Sequence, residues 1–264
     1  MSNKAKIRED AMSLNPMDDA LFQKMAENKD FFQEILQVIL DNKQLIVLNT
    51  NSQFATKNLQ GRSCMLDAKC QLEDGRIVNI EVQRADDDDH QRRVRYNGAL
   101  LTTNLTNPST KFAEIPDVIV VFISKFDVFK SSRPLYHIDR VIRETGKAVD
   151  NGFEEVYVNA EIDDDSDVAR LMNVFNTDTA YDDVKFPVTS AYKRRYKTTE
   201  EGVREMCEVI ERNRAEGRAE GLIEGKAELI TNMLKNQMKP EQIAKIANMT
   251  VEQIISIGKK AAVL

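Results

Sequence analysis

The chain of 264 residues is long enough to bury one sizeable core and carry an appendage. With 42% hydrophobic and 30% charged residues it reads as an ordinary soluble protein, and no apolar run approaches the roughly 18 residues of a membrane-spanning helix, so no membrane partner is expected. A net charge of -6 argues against indiscriminate adhesion to nucleic acid while leaving room for a local basic groove. Cys64, Cys70 and Cys207 form no CxxC, and only His90 and His137 accompany them, which argues against a disulfide framework and structural zinc. Met1 to Asp10 mixes Lys4, Lys6 and Arg8 with acids and has no apolar core behind it. It does not read as a signal peptide, and a cytoplasmic location is expected.

Residues 18 to 41 predict a helix: Leu21, Phe22, Met25, Phe32, Ile35, Leu36 and Ile39 recur at helical spacing after Asn15-Pro16. Asp18 and Asp19 then fall in its first turn, where negative charge is favoured. Two β segments follow, 65 to 72 and 76 to 83, around a turn containing Asp74-Gly75. The acid run Asp86 to Asp89 reads as the N-terminus of a helix over about 88 to 105. Residues 117 to 124 suit a strand buried on both faces, and Val156 to Val158 form another strand. Asp163-Asp-Asp-Ser-Asp167 begins like a calcium loop, but Val168 and Val174 stand where glycine and glutamate belong, leaving a turn and a helix cap. From about Thr199 the chain becomes a charged helical segment with Gly217, Gly221 and Gly225 four residues apart. Either another helix approaches this face closely or the helix is weak and frayed. Two short helices, Pro240 to Asn248 and Val251 to Gly258, complete the tail, the second opened by a Thr250/Gln253 capping box. The order of elements indicates a mixed α/β core over residues 12 to 198 and a helical C-terminal extension over 199 to 264.

The segment from Met65 to Gln83 carries the chemistry. Leu66, Ala68, Cys70 and Leu72 alternate with Asp67, Lys69 and Gln71, and Val78, Ile80 and Val82 alternate with Asn79, Glu81 and Gln83. A two-residue loop at Asp74-Gly75 would place Asp67 opposite Val82 and mix apolar with polar faces. A three-residue loop, Glu73-Asp74-Gly75 with Gly75 at positive φ, or an equivalent bulge, restores the match and brings Asp67, Lys69, Glu81 and Gln83 onto one face. Two converging carboxylates repel unless a cation neutralises them, and such ligands suit Mg²⁺ with retained waters, pointing to phosphodiester hydrolysis. A solvated hairpin face with ordinary charge pairs is the other reading of the same spacing.

Asp67, thirteen intervening residues and Glu81-Val82-Gln83 resemble the D...ExQ variant of the PD-(D/E)XK nuclease signature. More specifically, the chain resembles the Rpn-type recombination-promoting nucleases, also called PD-(D/E)XK nuclease family transposases. Asp19-Ala-Leu-Phe22 resembles their N-terminal Dx(L/M)F motif, Arg93-Val-Arg-Tyr96 their basic helix, and Ile123-Ser-Lys-Phe-Asp-Val-Phe129 the following strand and turn; Gly202 to Cys207 and the tail also fit. The resemblance implies a restriction-endonuclease-like α/β fold, metal binding by Asp67 and Glu81 with the Val82 carbonyl as a further ligand, and Asp19 as an additional acid. Asp18 replaces Asp19 if the first helix is rotated.

Gln83 departs from the lysine of the original pattern; an amide orients water but brings no charge, which Lys69 on the same face can supply. Arg92, Arg93 and Arg95 with Tyr96 are candidates for DNA phosphates, although three residues so close in sequence do not share one helix face. Tyr192-Lys-Arg-Arg-Tyr-Lys197 is a second basic patch, read as solvent-exposed ahead of nucleic-acid-binding. The expectation is Mg²⁺-dependent DNA cleavage, with Mn²⁺ as a substitute, linked to recombination or mobile elements; cutting DNA does not by itself imply strand transfer. The competing expectation is a catalytically silent DNA-binding protein that forms homo-oligomers through its C-terminal helices.

Overall fold

The computed structural model describes residues 3–56, 64–87 and 89–261. Three helices, α1 (Asn3–Ser13), α2 (Asp19–Ala26) and α3 (Lys29–Ile39), precede strands β1 (Val47–Thr56), β2 (Cys64–Leu72) and β3 (Ile77–Gln83). Helix α4 (His90–Leu105) leads to β4 (Val118–Ser124), β5 (Leu135–Ile138), β6 (Arg140–Ile142), β7 (Lys147–Val149) and β8 (Phe153–Asn159). Helices α5 (Asp167–Asn176), α6 (Pro187–Thr198), α7 (Glu200–Lys235), α8 (Pro240–Ala247) and α9 (Val251–Lys260) follow.

Six strands form one mixed sheet in the order β1-β2-β3-β4-β8-β5, and β6 and β7 pair separately. β1, β2 and β3 are antiparallel neighbours, whereas β3, β4 and β8 run parallel. Parallel neighbours need a crossover, which α4 provides between β3 and β4. Val118, Val120 and Phe122 of β4 pack with Val94 and Leu101 of α4. The alternate residues Ile119, Val121 and Ile123 are buried too, so β4 is covered on both faces, as its unbroken apolar run predicts. Away from the sheet's centre, Phe22, Phe31 and Phe175 join α2, α3 and α5, with ring centroids 6.0 to 6.4 Å apart.

The hairpin between β2 and β3 has the irregular loop its alternation requires. The Leu72 N–H donates to the Arg76 carbonyl at 2.9 Å, leaving Glu73, Asp74 and Gly75 as a three-residue loop with Gly75 at φ 93°. Pairing then runs Gln71↔Ile77, Lys69↔Asn79 and Ala68↔Ile80.

Two expectations are corrected. The predicted helix over 18 to 41 is two helices, because Asn28 adopts an extended backbone (φ -101°, ψ 118°) and its side-chain amide donates to the Met25 carbonyl at 3.1 Å, ending α2 before α3 starts. The basic segment Tyr192 to Lys197 is solvated only in part: Arg194 is exposed, but Lys193, Tyr196 and Lys197 lie at i, i+3 and i+4 on the inner face of α6 and are buried. The Lys193 ammonium donates to the carbonyls of Val174, Thr177 and Ala180 at 2.5 to 3.0 Å, and Lys197 to the Leu14 carbonyl and Asp178.

Backbone contacts divide the chain into two compact units, residues 1–207 and 208–264, with α7 running through the division. In the second unit Ile230 and Leu234 of α7 pack with Ile243 and Ala244 of α8 and Ile254 of α9. Thr250 and Gln253 form the expected capping box. α7 is continuous through Gly217, Gly221 and Gly225, and a Cβ at any of them would meet no described atom within 4 Å. No helix among the described residues is long and apolar enough to cross a membrane.

Candidate active site

Because Lys69 lies opposite Asn79, alternation puts Asp67, Lys69, Asn79, Glu81 and Gln83 on one face of the hairpin. That face is not a solvated one: Asn79 and Glu81 are both fully buried. The β2–β3 ladder stops at Ala68↔Ile80, and the Val82 N–H turns to Asp67 Oδ2 at 2.9 Å. The Asp67 carboxylate thus takes a backbone donor at the point where the strands part. The site lies toward the carboxyl ends of the parallel strands, where Gln83 pairs with Ser124 and Ser124 with Asn159. Open α/β sheets commonly bind ligands at this edge.

Glu81 is held from both sides. Asn79 Nδ2 donates to its Oε1 at 2.8 Å, and Arg93 of α4 approaches its Oε2 at 3.4 Å. The same guanidinium donates to Gln83 Oε1 at 2.8 Å, while Gln83 Nε2 donates to the Ala85 carbonyl at 3.0 Å and lies 3.4 Å from Asp87 Oδ1. Since a guanidinium only donates, the amide oxygen of Gln83 must face Arg93.

α2 closes the site. Asp18 is engaged by Arg84 and accepts the Asn15 N–H at 2.7 Å, whereas Asp19 acts electrostatically on Asp67 and is itself influenced by Arg93. Gln23, one turn beyond Asp19, hydrogen-bonds to Asp67. Burial, and then the Asp67 charge, raises the Glu81 carboxyl well above the ordinary carboxylate range. Burial also raises Asp67, opposed by the Val82 N–H and reinforced by Asp19. Asp19 stays accessible at the rim; partial desolvation, followed by the adjacent Asp18, raises its carboxyl.

The other candidates are distributed differently. Lys69 is half-buried on the strand face, and desolvation depresses its amine. Arg92 is exposed and its Nε lies 3.2 Å from Asp89 Oδ2; Arg95 is exposed and Tyr96 half-buried. Asp89 caps α4 by accepting the Arg92 N–H at 3.1 Å, as the acid run predicts. His90 beside it is buried, 3.1 Å from Asp86 through Nε2 and flanked by Phe122 and Phe126.

Residues 16–166, more than half of the chain, match the profile of the PD-(D/E)XK nuclease family transposases. The chain belongs to this family. The matched span contains Asp19, Asp67, Glu81, Gln83 and Arg93, and the mixed sheet flanked by helices is its PD-(D/E)XK fold. No curated protein and no solved structure gives a significant match. PD-(D/E)XK nucleases generally use divalent metal ions, and membership in the family implies nuclease activity.

The residues fit such an ion. Asp67 and Glu81 place two hard carboxylates together in a buried setting that raises both, so each gains from an added cation. Among the described residues no three His, Cys, Asp or Glu side chains are grouped so as to hold a metal ion, so Asp19 is not gathered with Asp67 and Glu81 into one ligand set. Sequence reasoning missed Asn79 as the partner of Glu81 and Gln23 as the partner of Asp67. Gln23 was legible as the i+4 neighbour of Asp19, whereas the Asn79 contact along β3 had no signal beyond its place in the alternation.

Proposed function

We propose that the chain is a Mg²⁺-dependent DNA endonuclease, with Mn²⁺ able to substitute, whose nuclease domain spans residues 12 to 198 and is followed by a helical extension over 199 to 264. The observation that carries this reading is that Asp67 and the buried Glu81 share one hairpin face where β2 and β3 part, inside a PD-(D/E)XK family domain. Hydrolysis joins a water oxygen to phosphorus, breaks one P–O ester bond and leaves a phosphomonoester and a free hydroxyl. A bound divalent ion supplies an activated water and charge stabilisation at the phosphoryl group.

This chain's residues do the rest. Asp67 and Glu81 would hold the ion with the Val82 carbonyl, Asn79 fixes one Glu81 oxygen, and Asp19 adds negative charge from α2. Lys69 lies on the same face, and Arg92, Arg95 and Tyr96 on α4 would contact DNA phosphates. A link to recombination or mobile elements rests on the Rpn-type resemblance, and a cytoplasmic location on the sequence alone. Exposed Leu222 and Ile223 on α7 favour a second role, homo-oligomerisation through the C-terminal helices.

Supercoiled, linear and single-stranded DNA incubated with the protein and Mg²⁺ or Mn²⁺ test the reading. Cutting is expected to require metal and to vanish in both Asp67→Ala and Glu81→Ala. DNA binding by the wild type without any cutting would move the function to the silent DNA-binding alternative.

A further inference from the structure

We propose that Arg93 is the catalytic cation of this site and Gln83 the positioning residue that delivers it; the inference rests on the nuclease reading and deepens it. The original PD-(D/E)XK pattern carries a lysine where this chain has Gln83. A neutral amide cannot stabilise negative charge at a phosphoryl group, so either the charge is missing or another residue brings it. The structure places a guanidinium on the amide itself, with Arg93 2.8 Å from Gln83 Oε1 and 3.4 Å from Glu81 Oε2.

The amide is built to hold that cation. Its nitrogen is tied to the Ala85 carbonyl at 3.0 Å, which fixes its oxygen toward α4. The Arg93 side chain is 34% accessible, against 77% for Arg92 on the same turn, so Arg93 faces the acids while Arg92 faces solvent. A guanidinium has five N–H donors in a rigid fork, and the contacts to Gln83 and Glu81 account for two, so the same group can also meet a phosphoryl oxygen. A divalent ion on Glu81 weakens the attraction of Glu81 for Arg93, but the neutral amide is not compensated by that ion. Gln83 thus keeps one positive charge beside another where a carboxylate alone would not.

The test combines DNA cutting with calorimetric titration of Mg²⁺ or Ca²⁺ onto the DNA-free protein, in wild type and in Arg93→Ala, Arg93→Lys, Gln83→Ala, Gln83→Lys and the Gln83→Lys/Arg93→Ala double variant. Arg93→Ala is expected to slow cutting by about 100-fold or more. It is also expected to tighten ion binding by about 3- to 10-fold, because a competing positive charge has gone. Gln83→Ala slows cutting comparably, and in the Gln83→Lys background loss of Arg93 costs less than about 5-fold, since lysine then supplies the charge. Arg93→Lys keeps the cation and gives an intermediate rate, which holds the test open should Arg93→Ala fold poorly. Cutting by Arg93→Ala at the wild-type rate, unchanged or weaker ion binding, or a full loss on removing Arg93 in the lysine background overturns the inference. So does a defect confined to DNA affinity with a shallower salt dependence, the mark of a plain phosphate contact. A wild type that cuts nothing overturns the nuclease reading itself, whereas an active wild type beside an equally active Arg93→Ala overturns only this assignment.

Discussion

At Glu81 and Asp67 the protein holds two carboxyls that burial pushes toward protonation, with the Asp67 charge adding to the effect on Glu81 and the Asp19 charge to that on Asp67. A carboxyl whose pKa is raised on folding binds more protons in the folded than in the unfolded state, so the stability it allows is fully present below the ordinary carboxylate range and is lost as the pH climbs through the raised value. The melting temperature of the metal-free protein is therefore expected to fall from about pH 5 through neutrality, and Mg²⁺ to restore it most at the alkaline end. Thermal melts across that range check this, and Glu81→Gln should flatten the dependence. Lys193 is a different case: its buried ammonium satisfies carbonyls at the end of α5 and in the turn beyond it, so Lys193→Met removes that donor from Val174 and Ala180 and leaves Thr177 with only the Ala180 N–H. A loss of about 2–4 kcal/mol in urea unfolding is expected. That residue looked like surface charge because composition alone does not show which side of a helix faces inward.

Among the elements, α6 depends on its neighbours at both ends. Glu34 of α3 accepts the N–H groups of Val188 and Thr189 at 3.0 and 2.7 Å, capping the helix from outside it. Glu34→Ala is expected to cost about 1–2 kcal/mol in chemical denaturation, with cutting unchanged in the surviving folded fraction. At the other end a Cβ on Gly202 would lie 2.2 Å from the Arg195 carbonyl oxygen, backbone that cannot turn aside. Gly202→Ala should cost about 1–3 kcal/mol or more in the same measurement. The hairpin and α4 were legible because alternation, turn glycine and capping acid agree on them. The break at Asn28 was not, since the apolar spacing of α2 and α3 stays nearly in phase across it, and the N-terminal cap of α6 comes from Glu34, more than 150 positions away.

For the whole molecule, the catalytic candidates Asp19, Asp67, Glu81, Gln83 and Arg93 all fall within residues 1–207, and that unit has its own buried core. A chain ending at Cys207 is expected to fold cooperatively and keep the pH-dependent, Mg²⁺-reversible change in melting temperature; loss of that response would show that residues 208–264 are needed to form the site. The acidic pair was readable because a hairpin makes distant positions neighbours through simple alternation, whereas Arg93 reaches the site through a helical crossover whose rotation no local pattern specifies. The three-residue loop at Glu73-Asp74-Gly75 also carries a parity rule. With thirteen residues between them, Asp67 and Glu81 share a face only while an odd number of residues turns the hairpin. Sliding β3 by one position against β2 would send the two acids to opposite sides of the sheet, whereas shortening the turn with every strand pair kept leaves them opposite one another, so the turn is free to vary in length while the register is not.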